Sequence, residues 1–296
     1  MQRRSGVAAL ISSSEREDGR ECIASNITEL IGWTPLLELK QITKKDGVDV
    51  RLVGKLESYQ PLSSVKDRGA LRMIEDAEEK GFITPGITTL VEPTSGNLGI
   101  SLACIAAQKG YKFIAVMPNH FSLERRILLK YLGADIKLTD SKLGFQGQLE
   151  KLDQLKANIP NVYVLDQFSN PANPAAHFSS TGPEIWEDTE GKIDIFVCGS
   201  GSGGTLSGAG SYLRMKKPSL KIICVEPSDS PVISGFQHNT CCLCNFTSLI
   251  LQLKHHFEQK MDIQHFNRAI SCFHLTAAIG HGKTLVVRQF RSMNKI

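Results

Sequence analysis

The sequence contains no apolar run that approaches the roughly 18 residues required for a membrane-spanning helix. It also lacks an excess of one charge, because 34 Lys and Arg against 30 Asp and Glu leave a net charge of +4 over 296 residues. This balance gives no reason to expect a nucleic-acid or membrane-surface partner. The 41% of hydrophobic residues is typical of globular proteins and excludes disordered and fibrous classes.

The eight cysteines are not arranged as the dense framework of a small secreted domain, and no C-x₂-C pair combines with an H-x₃₋₅-H pair. We therefore expect a reducing compartment, a cytoplasmic location and no metal site. Residues 1–21 contain an apolar stretch too short for a secretory signal, and they also carry acidic residues. We expect this segment to be a disordered N-terminal tail.

Short β-branched runs alternate with helical stretches between residues 23 and 226. The predicted strands are 89–91, 113–117, 134–138, 193–197 and 221–225, and the predicted helices are 67–80, 98–109, 122–132, 146–157 and 205–214. This alternation predicts an α/β fold with parallel sheets, whose continuous apolar strands are buried on both faces. Ligands of such folds bind where the strands end, so the turns at those positions are the candidate sites.

A glycine- and serine-rich turn at 199–208 follows a predicted strand and leads into a helix. Its backbone N–H groups, unobstructed by Cβ atoms, suit a phosphate at the positive helix end. The turn also satisfies G-x-G-x-x-G through Gly199, Gly201 and Gly204, and Glu226 ends the next strand. An NAD-dependent oxidoreductase is therefore a second interpretation, and a tight connection without any ligand is a third.

Lys66 lies in the turn Ser-Ser-Val-Lys-Asp-Arg, which leads into a helix. We expect the positive helix end and Arg68 to lower the pKa of its amine, which favours a Schiff base with an aldehyde cofactor. A solvated lysine at a helix start is the ordinary alternative.

The turn at 94–99 offers hydroxyl groups from Thr94 and Ser95, a side-chain amide from Asn97, and backbone donors at a helix start. This combination suits an α-carboxylate, although a simple helix cap has a similar composition. A phosphate cradle, an amine and a carboxylate cradle together indicate pyridoxal 5′-phosphate acting on an amino acid.

These residues resemble the cysteine synthase, or O-acetylserine (thiol)lyase, family of pyridoxal-phosphate enzymes in its plant-like form. The matching motifs, in the family order, are 29–36, 63–68, 92–99, 122–126, 166–174, 181–186 and 201–205. The resemblance implies fold type II, with two three-layer αβα domains, mostly parallel sheets, and the cofactor in the cleft between them. It assigns 22–55 and 166–235 to the larger cofactor domain and 56–165 to the smaller substrate domain.

The resemblance makes Lys66 the lysine that carries the cofactor and Asn97 the partner of its 3-hydroxyl. The phosphate loop consists of Gly201, Ser202, Gly203, Gly204 and Thr205. The substrate carboxylate is assigned to Thr94, Ser95, Gly96 and Gln167. Three positions depart from the usual family pattern. Trp33 replaces Asn, Leu98 replaces Thr, and Ser202 stands where the family often has Thr.

The implied reaction is β-replacement, in which sulfide displaces acetate from O-acetylserine to form cysteine. Cyanide or thiosulfate as the nucleophile would give β-cyanoalanine or S-sulfocysteine by the same steps. Family members are commonly homodimers, so we expect a homodimer. A non-catalytic homologue that acts through oligomerisation stays an alternative.

Residues 236–296 do not resemble the last segment of the family. We expect an incomplete second domain with an exposed sheet edge that the amphipathic segment 248–261 covers only in part, and therefore weak or absent cysteine synthesis. The family's surface for serine acetyltransferase lies beyond this break, so we do not expect that partner. The Cys and His residues of the segment, among them Cys241, Cys244, His255 and His256, do not have zinc-site spacing.

Overall fold

The computed structural model describes residues 23–45, 50–94, 96–225 and 284–288. The predicted N-terminal tail, Ser95, Glu226 and the amphipathic segment 248–261 lie outside these residues, as do the cysteines and histidines of the last segment. None of the helices in the described ranges is long and apolar enough to cross a membrane.

The elements follow one another as α/β units, with short 3₁₀ turns between some of them. The first part contains β1 (Leu36–Glu38), α1 (Lys40–Lys45), β2 (Arg51–Lys55), α2 (Lys66–Glu79), β3 (Thr89–Pro93), α3 (Asn97–Lys109), β4 (Lys112–Pro118) and α4 (Leu123–Tyr131). The second part contains β5 (Asp135–Thr139), α5 (Gly144–Asn158), β6 (Val162–Val164), α6 (Ala172–Ala176), a π-helical turn (His177–Thr181) and α7 (Gly182–Asp188). The last elements are β7 (Ile195–Gly199), α8 (Gly204–Lys216), β8 (Lys221–Val225) and β9 (Thr284–Arg288).

The first sheet has the strand order β5-β4-β3-β6, and all of its pairs are parallel. Leu90 and Phe113 face one core, which α2, α3 and α4 cover, whereas the neighbouring Val91 and Ile114 face Leu152 of α5. The α/β class is thus confirmed, and so is the burial of β3 and β4 on both faces, whereas the outer strand β5 leaves Asp135 and Leu138 exposed. This sheet with its helices forms a three-layer αβα unit.

The second sheet has the strand order β1-β2-β9-β7-β8. Among the strands that the structure describes, β7 and β8 pair in parallel and the other three pairs are antiparallel, so this sheet is mixed rather than mostly parallel. On one face, Phe196 and Ile222 pack against Ile185 of α7 and Leu213 of α8. On the other face, a smaller cluster joins Leu52 and Ile195.

Strand β9 bears on one expectation about the last segment. No counterpart of the family's closing elements is recognisable there in the sequence, and an exposed sheet edge is the expectation. Instead, Thr284–Arg288 lies between β2 and β7, antiparallel to both, with Val286 opposite Val53 and Phe196. The side of β7 that faces β2 is therefore paired by a strand in which three of five residues are β-branched, whereas β8 is an outer strand of this sheet among the described residues.

The predicted strands and helices are all present, with ends shifted by a few residues. Helix α2 illustrates why: Ala70, Met73, Ile74 and Ala77 recur every three or four residues and are all buried. Their face turns toward the first core, which fixes the direction of α2 and brings its first residue, Lys66, to the cleft described below.

Candidate active site

Four predicted site residues line one cleft, which lies near the first residues of α2, α3 and α8. They are Lys66, Gln167, Ser202 and Thr205, and the rest of the lining is Val65, Gly69, Leu98, Asn173 and His177. Lys66 Nζ lies 3.3 Å from Ser202 Oγ, which is 136 residues away in sequence. The fold thus joins the predicted amine to the predicted phosphate loop.

The phosphate loop is shaped by glycines at the start of α8. Gly203 has φ +79, a left-handed conformation that glycine adopts without strain, and Gly204 begins the helix. A Cβ atom at Gly201 would meet nothing within 4 Å, so this side of the loop is open. Backbone N–H groups at a helix start, together with the hydroxyls of Ser202 and Thr205, form a donor set that fits a phosphate.

His177 links Thr205 to a second threonine behind the loop. Its Nε2 atom is 3.3 Å from Thr205 Oγ1, and its Nδ1 atom is 2.9 Å from Thr181 Oγ1. Burial, assisted by the charge of Arg68, lowers the pKa of His177 to about 3. The ring is therefore neutral at physiological pH, with one donor nitrogen and one acceptor nitrogen for the two hydroxyls.

The predicted carboxylate turn is organised around Thr94. The buried Thr94 Oγ1 accepts hydrogen bonds from the backbone N–H groups of Gly96 at 3.3 Å and Gly99 at 2.9 Å. Gly96 has φ +150, and a Cβ atom there would approach the Arg125 side chain to 3.0 Å. Thr94, Gly96 and Asn97 lie in the turn next to Leu98 rather than in the cleft lining, and Ser95 is outside the described residues.

Glu92 holds the backbone of the segment that carries Gln167. Its carboxyl oxygens accept hydrogen bonds from the N–H groups of Asp166 at 2.8 Å and Gln167 at 3.0 Å. Burial raises the pKa of Glu92 to about 8, although the two backbone hydrogen bonds act in the opposite direction. Glu92 thereby connects the end of β3 to a predicted substrate residue.

Arg68 differs from its expected role beside Lys66. Its guanidinium group pairs with Glu57 at 2.9 Å and with Glu184 at 2.5 Å, and all three side chains are almost fully buried. Burial by itself would raise the pKa of Glu57, but the charge and hydrogen bonds of Arg68 outweigh this effect and lower it to about 2. The positive charge of Arg68 is thus balanced by two carboxylates instead of acting alone on Lys66.

Three residues of the site were not predicted from the sequence: Glu92, Asn173 and His177. Glu92 and Asn173 lie inside the quoted motifs 92–99 and 166–174, and His177 lies three residues beyond the end of the second motif. A polar residue within an otherwise apolar strand, such as Glu92, is the one local signal that marks a buried hydrogen-bonding role.

Comparison with known proteins agrees with this geometry. Residues 27–266 match the family described as pyridoxal-phosphate dependent enzymes. The chain is 50% identical over 216 residues to cysteine synthase 3 of Caenorhabditis elegans, covering 73% of this chain and 64% of that protein. It is 49% identical over 207 residues to cysteine synthase A of Escherichia coli K12, covering 69% and 62%.

Solved structures give the same result. A hydrogen sulfide-producing enzyme of Fusobacterium nucleatum superposes with a TM-score of 0.69 at 43% identity, covering 73% of this chain and 69% of that one. Cysteine synthase of Entamoeba histolytica superposes with a TM-score of 0.68 at 42% identity, covering 73% and 64%. The likeness to these structures confirms the predicted pyridoxal-phosphate fold type II for this chain.

The chain belongs to the family of pyridoxal-phosphate dependent enzymes. Within this family it groups with the cysteine synthases. It spans less than two thirds of the length of the two cysteine synthases compared above. Family membership decides in favour of pyridoxal phosphate over the dinucleotide alternative that the glycine pattern had left open.

Proposed function

We propose that this chain catalyses β-replacement on O-acetylserine, with sulfide as the nucleophile and cysteine and acetate as the products. The observation that carries the proposal is the 3.3 Å approach of Lys66 Nζ to Ser202 Oγ, which sets a primary amine beside a phosphate-type donor set. Identity of about half of the aligned residues to cysteine synthases supports the same reaction.

Pyridoxal phosphate, when bound, supplies an aldehyde that captures amines and a ring that accepts electrons from the substrate Cα. Lys66 is the amine that holds this aldehyde, and Ser202, Thr205 and the first N–H groups of α8 bind the phosphate. Gln167, whose backbone is fixed by Glu92, is a donor for the substrate carboxylate. The turn around Thr94 places Asn97 at the start of α3, where we assign it to the cofactor 3-hydroxyl.

Lys66 has a second task in the proposed reaction. Once the substrate amino group has taken the place of Lys66, the freed Lys66 Nζ atom removes the proton from the substrate Cα. This allows the Cβ–O bond to acetate to break. Sulfide then forms the Cβ–S bond, and Nζ returns the proton to Cα. One C–O bond is exchanged for one C–S bond, and no oxidant or reductant is consumed.

The proposal is tested by borohydride reduction of the purified chain after loading with pyridoxal phosphate. Peptide mass spectrometry should find the pyridoxyl group on Lys66, and Lys66→Ala should abolish both the adduct and sulfide-dependent cysteine formation. Lys109→Ala is a suitable control, because that lysine is paired with Glu78 and is not part of the cleft lining. An adduct confined to another lysine contradicts the assignment.

The choice of nucleophile is the finer part of the proposal. O-Ureido-L-serine synthase, which superposes with a TM-score of 0.68 at 37% identity, shows that products vary among these relatives. Rates with sulfide, cyanide and thiosulfate should be compared at matched concentrations. A clear preference for cyanide or thiosulfate would replace cysteine by β-cyanoalanine or S-sulfocysteine as the product.

We further propose that the protein is a cytoplasmic homodimer. We also propose that its activity is weak, because the family motifs are not recognisable in the sequence after Gly235 and the family match ends at residue 266. A chimera that carries a relative's segment after Gly235 should then exceed the native chain in rate and melting temperature. Equal rates and melting temperatures in the two proteins would contradict the proposed weak activity. Sedimentation of the native chain tests the dimer, and its co-expression with an active relative tests the non-catalytic alternative.

A further inference from the structure

Asn173 contacts three segments that meet at the candidate cofactor site. This residue of α6 is 6% exposed and lines the cleft beside Lys66. Its Nδ2 group donates to the backbone carbonyl of Gln167 at 2.8 Å and to Ser202 Oγ at 3.0 Å. One side-chain amide thus ties the segment of Gln167 to the phosphate loop.

The other side of the Asn173 amide is confined by two glycines. A Cβ atom at Gly204 would lie 2.4 Å from Asn173 Oδ1, and a Cβ atom at Gly69 would lie 2.7 Å from it. Real Cβ atoms do not approach so closely, so both positions need glycine for this asparagine to fit. Asn173 is therefore held in one orientation by the first turns of α2 and α8.

The hydrogen bonds to Ser202 fix the role of its hydroxyl. A serine hydroxyl has two lone pairs and one hydrogen. Ser202 Oγ accepts from Asn173 Nδ2 at 3.0 Å and from Lys66 Nζ at 3.3 Å, so both lone pairs are engaged. The hydroxyl hydrogen is then left for an acceptor in the cleft, and a phosphate is a strong acceptor.

We propose that Asn173 is a positioning residue that makes Ser202 a hydrogen-bond donor for the phosphate of a phosphorylated cofactor. Lys66 reacts with the cofactor aldehyde, whereas Asn173 does not react and keeps its hydrogen bond to Ser202. Asn173 thereby sets the preference for the phosphorylated form over the unphosphorylated one. This inference rests on the proposed function, because it concerns the same site.

The test compares pyridoxal 5′-phosphate with pyridoxal, which has the aldehyde but no phosphate. Dissociation constants of both compounds are measured on the full chain, and the ratio of the pyridoxal value to the pyridoxal phosphate value reports the contribution of the phosphate. Asn173→Asp has nearly the same shape, but it presents an acceptor to Ser202 and draws the hydroxyl hydrogen away from the cleft. The ratio should fall at least tenfold, while the affinity for pyridoxal changes less than threefold.

Two further variants separate positioning from a general loss of structure. Ser202→Ala should lower the ratio by itself, and Asn173→Ala should have no further effect on the ratio in that background. Gly69→Ala, which pushes a methyl group against Asn173 Oδ1, should lower the ratio as well. Asn158→Asp is the charge-matched control on the exposed end of α5 and should leave the ratio unchanged.

The outcomes distinguish a failure of the proposed function from a failure of the role proposed for Asn173. Failure of the native chain to bind pyridoxal phosphate overturns the proposed function and this inference together. Normal binding with an unchanged ratio in Asn173→Asp and Gly69→Ala overturns only the role of Asn173. An equal drop for Asn173→Ala with and without Ser202 overturns the route through the serine hydroxyl.

Discussion

Glu184 lies between two buried cations, with its Oε2 atom 2.7 Å from Lys55 Nζ and 2.7 Å from Arg68 Nη2. Glu57 completes the cluster from the other side of Arg68, so two positive and two negative charges are enclosed together. Lys55 belongs to β2, Arg68 to α2 and Glu184 to α7. The cluster therefore anchors the first turn of α2, and with it Lys66, to the second sheet.

Glu184→Gln should destabilise the protein strongly. It leaves Lys55 and Arg68 facing a single carboxylate in the core, and breaking a buried ion pair from one side costs about 3–5 kcal/mol. Urea unfolding followed by circular dichroism measures the loss. Glu190→Gln removes an exposed pair with Lys192 and should change stability by less than about 0.5 kcal/mol. Similar losses in the two variants would contradict a special role for the buried cluster.

Glu92 should make stability depend on pH in an uncommon direction for a carboxylic acid. Its pKa in the folded protein is raised from 4.5 to about 8, so between these values the folded state keeps a proton that the unfolded state has lost. Stability therefore falls as pH rises through this range, by up to about 1.4 kcal/mol per pH unit.

Glu92→Gln removes this titration. The unfolding free energy of the native chain minus that of the variant should thus decrease from pH 5 to pH 8, as measured by urea unfolding at several pH values. The variant should also bind the amino-acid substrate less tightly, because its amide group turns an N–H toward the backbone donors of Asp166 or Gln167. A difference in unfolding free energy that is constant with pH would show that Glu92 is ionised throughout.

Trp33 occupies a backbone conformation that suits asparagine, the residue that the resembled family usually has at this position. Its φ of 48 is in the left-handed region, where asparagine is tolerated and most side chains are strained. Trp33→Asn and Trp33→Ala both remove the ring, so comparing them isolates the backbone effect. Thermal and urea unfolding should show the asparagine variant to be more stable by about 1 kcal/mol. Equal stability of the two variants would mean that the backbone relaxes at this position.

Strand β9 should be necessary for the second sheet. Val286→Pro removes an N–H group from a strand that is paired on both sides, and the orphaned partner costs about 1–3 kcal/mol. The variant should have a lower melting temperature and a greater tendency to aggregate, since β7 and β2 lose their shared neighbour. Val286→Ala keeps the N–H group and should be milder. A proline variant as stable as the alanine variant would argue against this pairing.

Local sequence signals predicted the elements around the site well. The helical spacing of Ala70, Met73 and Ile74 and the glycines before α8 are properties of short windows, so they could be recognised without the fold. Residues such as Asn173 and His177 were not assigned, because nothing within their own windows shows what they contact. Their partners Ser202 and Thr205 lie 29 and 28 residues away.

The position of β9 in the sheet could not be predicted from its own sequence. Thr284–Arg288 is a β-branched run that is compatible with a strand in any register, at a sheet edge or at its centre. Its place between β2 and β7 depends on two strands that are far away in sequence and come together only in the folded chain.

The sequence by itself determined the α/β class and the order of the motifs, and it predicts Lys66 as the cofactor lysine, because periodicity, turn composition and motif order are written along the chain. The tertiary structure alone decided that Lys66 Nζ meets Ser202 Oγ, that Arg68 is neutralised by Glu57 and Glu184, and that the second sheet is mixed. These features depend on which buried polar groups find partners once the cores have packed. Such a choice is made across the whole fold, since each buried charge or hydrogen-bonding group must be satisfied by whatever segment packing brings beside it.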